Sequence, residues 1–115
     1  AFERIANFKY FTHGEAVSVG TILAFKLSNE LGYCSTDAFS RVSNHFNSIK
    51  LPIHITDLLK NKVKATDIIK AMKLDKKTVN NIIKLILVKG IGKAFICETI
   101  DEKNLSIFLK NNGFI

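Results

Sequence analysis

Two cysteines, one proline, two arginines and no tryptophan in 115 residues leave few of the usual functional signposts. Cys34 and Cys97 stand far apart and form no CxxC, so spacing signals neither a zinc knuckle nor a redox pair. They read as free thiols of a cytoplasmic protein, buried as small hydrophobes. No apolar run reaches the roughly 18 residues that a bilayer span needs, because Lys26 interrupts the richest one. No secretory leader pattern is visible, and without one the sequon Asn104-Leu105-Ser106 carries no weight. Internal repeats, low-complexity tracts and linkers are missing too. Gly90-Ile91-Gly92-Lys93 is no phosphate loop: that pattern needs more glycines, other spacing and a Ser or Thr after the lysine.

What is present is apolar and basic. A hydrophobic content of 47% suffices for one buried core, so a single domain over residues 1–115 is expected. Lys and Arg outnumber Asp and Glu by 17 to 10, and the formal charge of +7 favours anionic partners without specifying one. The lysines are dispersed, and only Arg4 and Arg41 supply guanidinium. A basic helical module binding nucleic acid is thus permitted by charge. No helix-turn-helix or zinc-finger signature supports it, however, and no lysine cluster is interleaved with aromatics.

The apolar pattern is mainly helical. From about Gly14 to Leu31, Val17, Val19, Ile22, Leu23, Phe25, Leu27 and Leu31 cover more than one face, as in a helix buried mid-domain, and Gly32 suits its left-handed terminus. Ser35, Thr36 and Asp37 are N-cap candidates for a second helix carrying Ala38, Phe39, Val42, Phe46 and Ile49. Leu51-Pro52-Ile53-His54 breaks it. Asp57 is placed to cap a short turn through Leu58 and Leu59, and Thr66 or Asp67 a helix through Ile68, Ile69, Ala71, Met72 and Leu74. Ile82 to Val88 and Ala94 to Cys97 read as two extended pieces joined by a Gly-bearing turn. A final helix from about Asp101 to Asn111 should bury Leu105, Phe108 and Leu109 and stop near Gly113. The expected fold is mainly α with one short β-hairpin.

Two local patterns could carry chemistry. His13 enters the first long helix beside Gly14, with Glu15 in the first turn where a carboxylate suits the helix dipole. A catalytic zinc needs three protein ligands, and neither His45 nor His54 lies at ligand spacing from His13. Asp75-Lys76-Lys77 sits where a helix gives way to a turn, and two adjacent lysines there can clamp a phosphoryl group. Taken singly, both patterns also fit a plain structural role: a hydrogen-bonding helix-entry histidine and a solvated charged turn.

Taken together they are more specific. His13-Gly14-Glu15-Ala16-Val17 opens a helix that ends Leu27-Ser28-Asn29-Glu30-Leu31-Gly32. Leu51-Pro52, Met72-Lys73-Leu74-Asp75-Lys76-Lys77, Leu85-Ile86-Leu87-Val88 and Gly90-Ile91-Gly92-Lys93 then follow in order. This succession resembles the carboxy-terminal domain of the 3-dehydroquinate synthase family over nearly the whole chain. The resemblance implies a shikimate-pathway lyase of aromatic amino-acid biosynthesis that uses NAD and zinc, or cobalt. Its substrate is 3-deoxy-D-arabino-heptulosonate 7-phosphate, which it cyclises to 3-dehydroquinate with release of phosphate. It further implies that His13 is a metal ligand and that Lys76 or Lys77 binds the phosphate end of the substrate. A homodimeric complete enzyme is implied as well, with no nucleic-acid or membrane partner.

Some parts of the family pattern are missing. The amino-terminal NAD-binding domain and the other zinc ligands would precede Ala1, and Ala1-Phe2-Glu3 resembles the tail of the upstream histidine motif. Since Ala1 is no initiator methionine, the chain reads as processed or excerpted, and alone it is expected to bind neither NAD nor zinc well and to be inactive. A partner domain in cis or in trans is therefore expected. Around Asn80-Asn81 a usual glycine is replaced, although asparagine tolerates the left-handed backbone. Related sugar-phosphate cyclases and metal-dependent alcohol dehydrogenases remain alternatives.

Overall fold

A computed structural model describes residues 13–57, 64–73 and 83–115. Within them lie four α-helices, α1 (His13–Glu30), α2 (Thr36–Ser48), α3 (Ala65–Lys73) and α4 (Glu102–Asn111). Between α2 and α3 is a 3-10 turn (Ile55–Asp57), and between α3 and α4 a hairpin of β1 (Leu85–Gly90) and β2 (Lys93–Cys97). The mainly α fold with one short β-hairpin is thus the fold observed.

Helix α1 runs through the middle, and its composition explains why. Ala16, Val19 and Leu27 join a core with Ile68 and Ile69 of α3, Leu87 of β1, and Leu105, Phe108 and Leu109 of α4. On another side Phe25 packs with Cys34, Ala38 and Val88, backed by the half-buried Phe39 and Val42 of α2. Apolar residues on several faces place a helix between layers. Burying each of Ile68, Leu87 and Leu105 contributes about 1.5–3 kcal/mol. Helix α2 is peripheral: only Ala38 is buried, and Ile49, expected with the apolar set, is exposed. Cys34 and Cys97 are buried free thiols, as their spacing suggested.

Three helices end in the same geometry. After α1, the Gly32 N–H donates to Asn29 O (3.1 Å) and the Tyr33 N–H to Ser28 O (2.9 Å), with Gly32 at φ +84°. After α4, the Phe114 N–H donates to Leu109 O (3.1 Å) and Gly113 takes φ +101°. These are Schellman caps, which satisfy carbonyls that have no partner inside the helix. The cap of α2 is the same, Lys50 to Asn47 O and Leu51 to Phe46 O, but a lysine holds the left-handed position at φ 63°. At Gly113 space is restrictive as well, since a Cβ would lie 2.8 Å from Ile55 Cγ2.

The N-termini bring one correction. Ser35 caps α2, accepting from the Ala38 N–H at 3.1 Å, and Asp101 caps α4, accepting from the Lys103 N–H at 3.0 Å. Thr66 and Asp67, however, lie inside the first turn of α3. That helix starts earlier because the Ala65 N–H finds the carbonyl of Ile115 (2.8 Å) and Lys64 O accepts from Ile68 (3.3 Å). A backbone group distant in sequence thus replaces the side-chain cap. His13 likewise lies within α1 rather than ahead of it. The first strand begins at Leu85, with Ile83 buried ahead of it. Leu58, Leu59, Leu74 and Ile82 lie outside the described residues.

The hairpin pairs Leu85 with Cys97, Leu87 with Phe95 and Gly90 with Lys93, with an irregularity between Val88 and Gly90. Leu87 and Cys97 are buried. Ile86 and Ile96, paired across the strands, are 59% and 61% exposed. The backbone of β1 is secured to α1 by Ser28, which is fully buried. Its Oγ donates to Ala24 O (2.6 Å) and accepts from the Val88 N–H (2.9 Å).

Replacing Ser28 by Ala leaves the buried Val88 N–H unpartnered and should lower the unfolding free energy by about 1–3 kcal/mol in urea titrations. Lys50→Gly relieves a left-handed side-chain conformation and should raise it by about 1 kcal/mol in the same assay.

Candidate functional site

His13 is exposed in the first described turn of α1. Gly14 is exposed and Glu15 half-buried in the same turn. Immediately beyond, Ala16 and Val17 begin the wall of a cavity of about 270 Å³. The small residues Gly20 and Ala24 continue that wall, Leu85 and Leu87 of β1 face it, and Met72 of α3 lines it as well. The lining is apolar, so the cavity itself holds no acid, base or nucleophile.

Its importance lies in what borders it. One wall starts one turn after His13, and Met72 sits on the last turn of α3, from which the chain runs on toward Asp75-Lys76-Lys77. Two sequence segments separated by some sixty positions therefore meet at one cavity. Lys76 and Lys77 themselves lie outside the described residues, as do Asn80 and Asn81. The end of α3 is fixed to α4 through Lys73 Nζ and Glu102 Oε2, 2.7 Å apart, although the pair is solvent-accessible and contributes little energy.

Among the described residues no group of three or more His, Cys, Asp or Glu side chains could hold a metal ion. His45 sits on α2, edge-on to Phe46, and His54 follows the loop that ends α2.

Comparison with known proteins gives the family. A family model described as 3-dehydroquinate synthase C-terminal matches residues 1–78, a span that includes His13, Lys76 and Lys77. The chain belongs to the 3-dehydroquinate synthase C-terminal family. It is 39% identical over 104 residues to the 3-dehydroquinate synthase of Ruthia magnifica, an alignment covering 90% of this chain and 28% of that protein. The Vesicomyosocius okutanii protein of the same name is 40% identical over 85% of this chain and 26% of its own length. The Coxiella burnetii one is 33% identical over 96% of this chain and 30% of its own. The chain thus spans between a quarter and a third of the length of these relatives.

Several contributing side chains were not foreseen from the sequence of this family member. Ser18 Oγ donates to Pro52 O at 2.6 Å, joining α1 to the segment after α2, and Ser28 performs the corresponding task for β1. The available signal was a hydroxyl within an otherwise apolar helical face.

Because His13 is exposed and contributes no core surface, His13→Ala should change the melting free energy by less than about 0.5–1 kcal/mol. Thermal unfolding followed by circular dichroism checks this, and a larger loss would mark the imidazole as structural.

Proposed function

We propose that the chain is the carboxy-terminal part of a 3-dehydroquinate synthase. That enzyme cyclises 3-deoxy-D-arabino-heptulosonate 7-phosphate to 3-dehydroquinate and releases phosphate. The observation that carries the reading is the shared cavity: the turn opened by His13 and the helix leading into Asp75-Lys76-Lys77 border it from two sides. Family membership supplies the reaction class.

NAD and zinc, or cobalt, belong to this reading as cofactors of the complete enzyme. The described residues do not form a zinc site by themselves, since no three or more of their His, Cys, Asp and Glu side chains group to hold a metal ion. An exposed imidazole at a helix entrance is suited to donate one ligand to a metal whose other ligands lie elsewhere. Nor do the described strands, a single antiparallel pair, make the parallel sheet on which dinucleotides commonly sit. Both groups are therefore assigned to a site completed by an amino-terminal domain, in cis or in trans. The isolated chain is accordingly proposed to be inactive.

Within that assembly each residue has a limited task. His13 offers a ring nitrogen as a ligand, and Glu15 adds negative charge in the same turn. Lys76 or Lys77 pairs with the phosphate end of the substrate and orients it, the pairing being a point-charge interaction rather than a bidentate clamp. A bound divalent metal supplies Lewis-acid polarisation of a substrate oxygen. The apolar cavity wall excludes water beside the reacting segment. The complete enzyme is proposed to be a cytoplasmic homodimer with no nucleic-acid partner. Among the described residues no helix is long and apolar enough to cross a membrane.

Mixing or fusing the chain with the amino-terminal part of the Coxiella burnetii relative should produce phosphate release from the heptulosonate phosphate, with neither half active alone. His13→Ala should lower kcat/KM by about 100-fold or more, in line with loss of a metal ligand. Lys76→Ala with Lys77→Ala should raise KM about tenfold, as expected for loss of one charged hydrogen bond. Unchanged kinetics in either variant would remove that residue from the site. Turnover of other sugar phosphates in preference to this substrate would point to a related cyclase.

A further inference from the structure

We propose that Asn112 and Gly113, at the end of α4, form a modification site: a self-deamidating pair held inert while the last turn of α4 stays closed. Of the asparagines in the chain only Asn112 precedes a glycine. Glycine has no Cβ, so its amide nitrogen is the least hindered for attack on the preceding side chain.

The reaction is a hydrolysis in two stages. The Gly113 nitrogen loses its proton and bonds to Asn112 Cγ, the Cγ–Nδ2 bond breaks, and ammonia departs to leave a succinimide ring. Water then opens the ring. Cleavage at Cγ gives aspartate in a normal backbone, whereas cleavage at the main-chain carbonyl gives isoaspartate, with the backbone rerouted through the side chain. Water is the sole co-reactant, and Gly113 is exposed to it.

The closed helix end holds the first stage off. At φ −121° and ψ 31°, Asn112 places the Gly113 nitrogen nearly opposite Cβ about the Cα–C bond, so the ring cannot close until ψ turns. The amide is held as well, because Asn112 Nδ2 donates to Phe108 O at 2.7 Å. Turning ψ would draw Gly113 away from Ile55 and Thr56 and break the bond from the Phe114 N–H to Leu109 O. It would also lift the buried Phe114 out of the core. Attack therefore waits for local opening of this helix end.

The product cannot restore the closed form. An ionised carboxylate only accepts hydrogen bonds, so the bond to Phe108 O is lost. Its charge also sits at the negative end of the helix dipole. Isoaspartate adds a carbon to the backbone path and displaces Ile115, whose carbonyl receives the Ala65 N–H. Modification at the end of α4 thus loosens the start of α3.

The test incubates the 115-residue chain in mildly alkaline buffer, with and without denaturing urea, beside a peptide of residues 108–115. Mass mapping and isoaspartate labelling follow the conversion. Asn112 should convert at matching rates in the peptide and the unfolded chain, and at least about tenfold more slowly in the folded chain. Asn112→Asp carries the product carboxylate from the outset. It should lower the melting temperature by several degrees and speed hydrogen exchange at Ala65 but not at Val88. Three results would each overturn the proposal: no conversion of Asn112 in the unfolded chain, equal rates in folded and unfolded chains, or unchanged exchange at Ala65 in Asn112→Asp.

Discussion

The arrangement depends on one residue near the end of α1. Ser28 has its hydroxyl between the Ala24 carbonyl and the Val88 N–H, and its own carbonyl accepts from the N–H groups of Tyr33 and Cys34. Four backbone positions in three segments are thus referred to a single fully buried side chain and its peptide. The bond to Val88 covers an edge of β1 that would otherwise present an open donor. The bonds to Tyr33 and Cys34 set the direction in which the chain leaves α1 and enters α2. Beside this junction, Asn29 Nδ2 donates to Cys34 O and to Thr36 Oγ1, so directional polar bonds, and not apolar packing alone, set how α2 meets α1.

From this junction the two sides of α1 acquire different characters. Toward α3, α4 and β1, the packing is extensive and leaves a cavity along the small residues Ala16, Gly20 and Ala24. Toward α2 the core is smaller, resting on Phe25, Cys34, Ala38 and Val88. The outer face of the hairpin remains apolar, with Ile86 and Ile96 side by side in solvent. Paired β-branched residues stabilise a strand pair, and among the described residues β1 and β2 have only each other as strand neighbours.

Helices, hairpin and most caps were legible in the sequence because their causes are local. Gly32 and Gly113 lie where left-handed backbone is needed, Ser35 and Asp101 where an N-cap is needed, and Gly90-Ile91-Gly92 where two apolar runs reverse. The start of α3 was misread because its first donor is satisfied by Ile115, a partner that no window of neighbouring residues contains. Lys50 was not anticipated in a left-handed conformation because the composition of a cap biases its backbone without dictating it. For the site the division is similar. The family was legible through the order along the chain of segments such as His13-Gly14-Glu15 and Asp75-Lys76-Lys77, which the family model spans. The cavity between α1 and α3 arises from packing between elements and has no counterpart in local spacing.

The bond from the Ala65 N–H to the Ile115 carbonyl also orders events in time. During synthesis α3 emerges long before residue 115, so its first turn lacks this partner while α1 and α2 can already associate. Closing so distant a contact requires the intervening hairpin and α4 to be in place first. The α3–α4 layer is therefore expected to be the last to consolidate. Until then, the apolar face of α1 that it covers remains exposed to other surfaces in the cell.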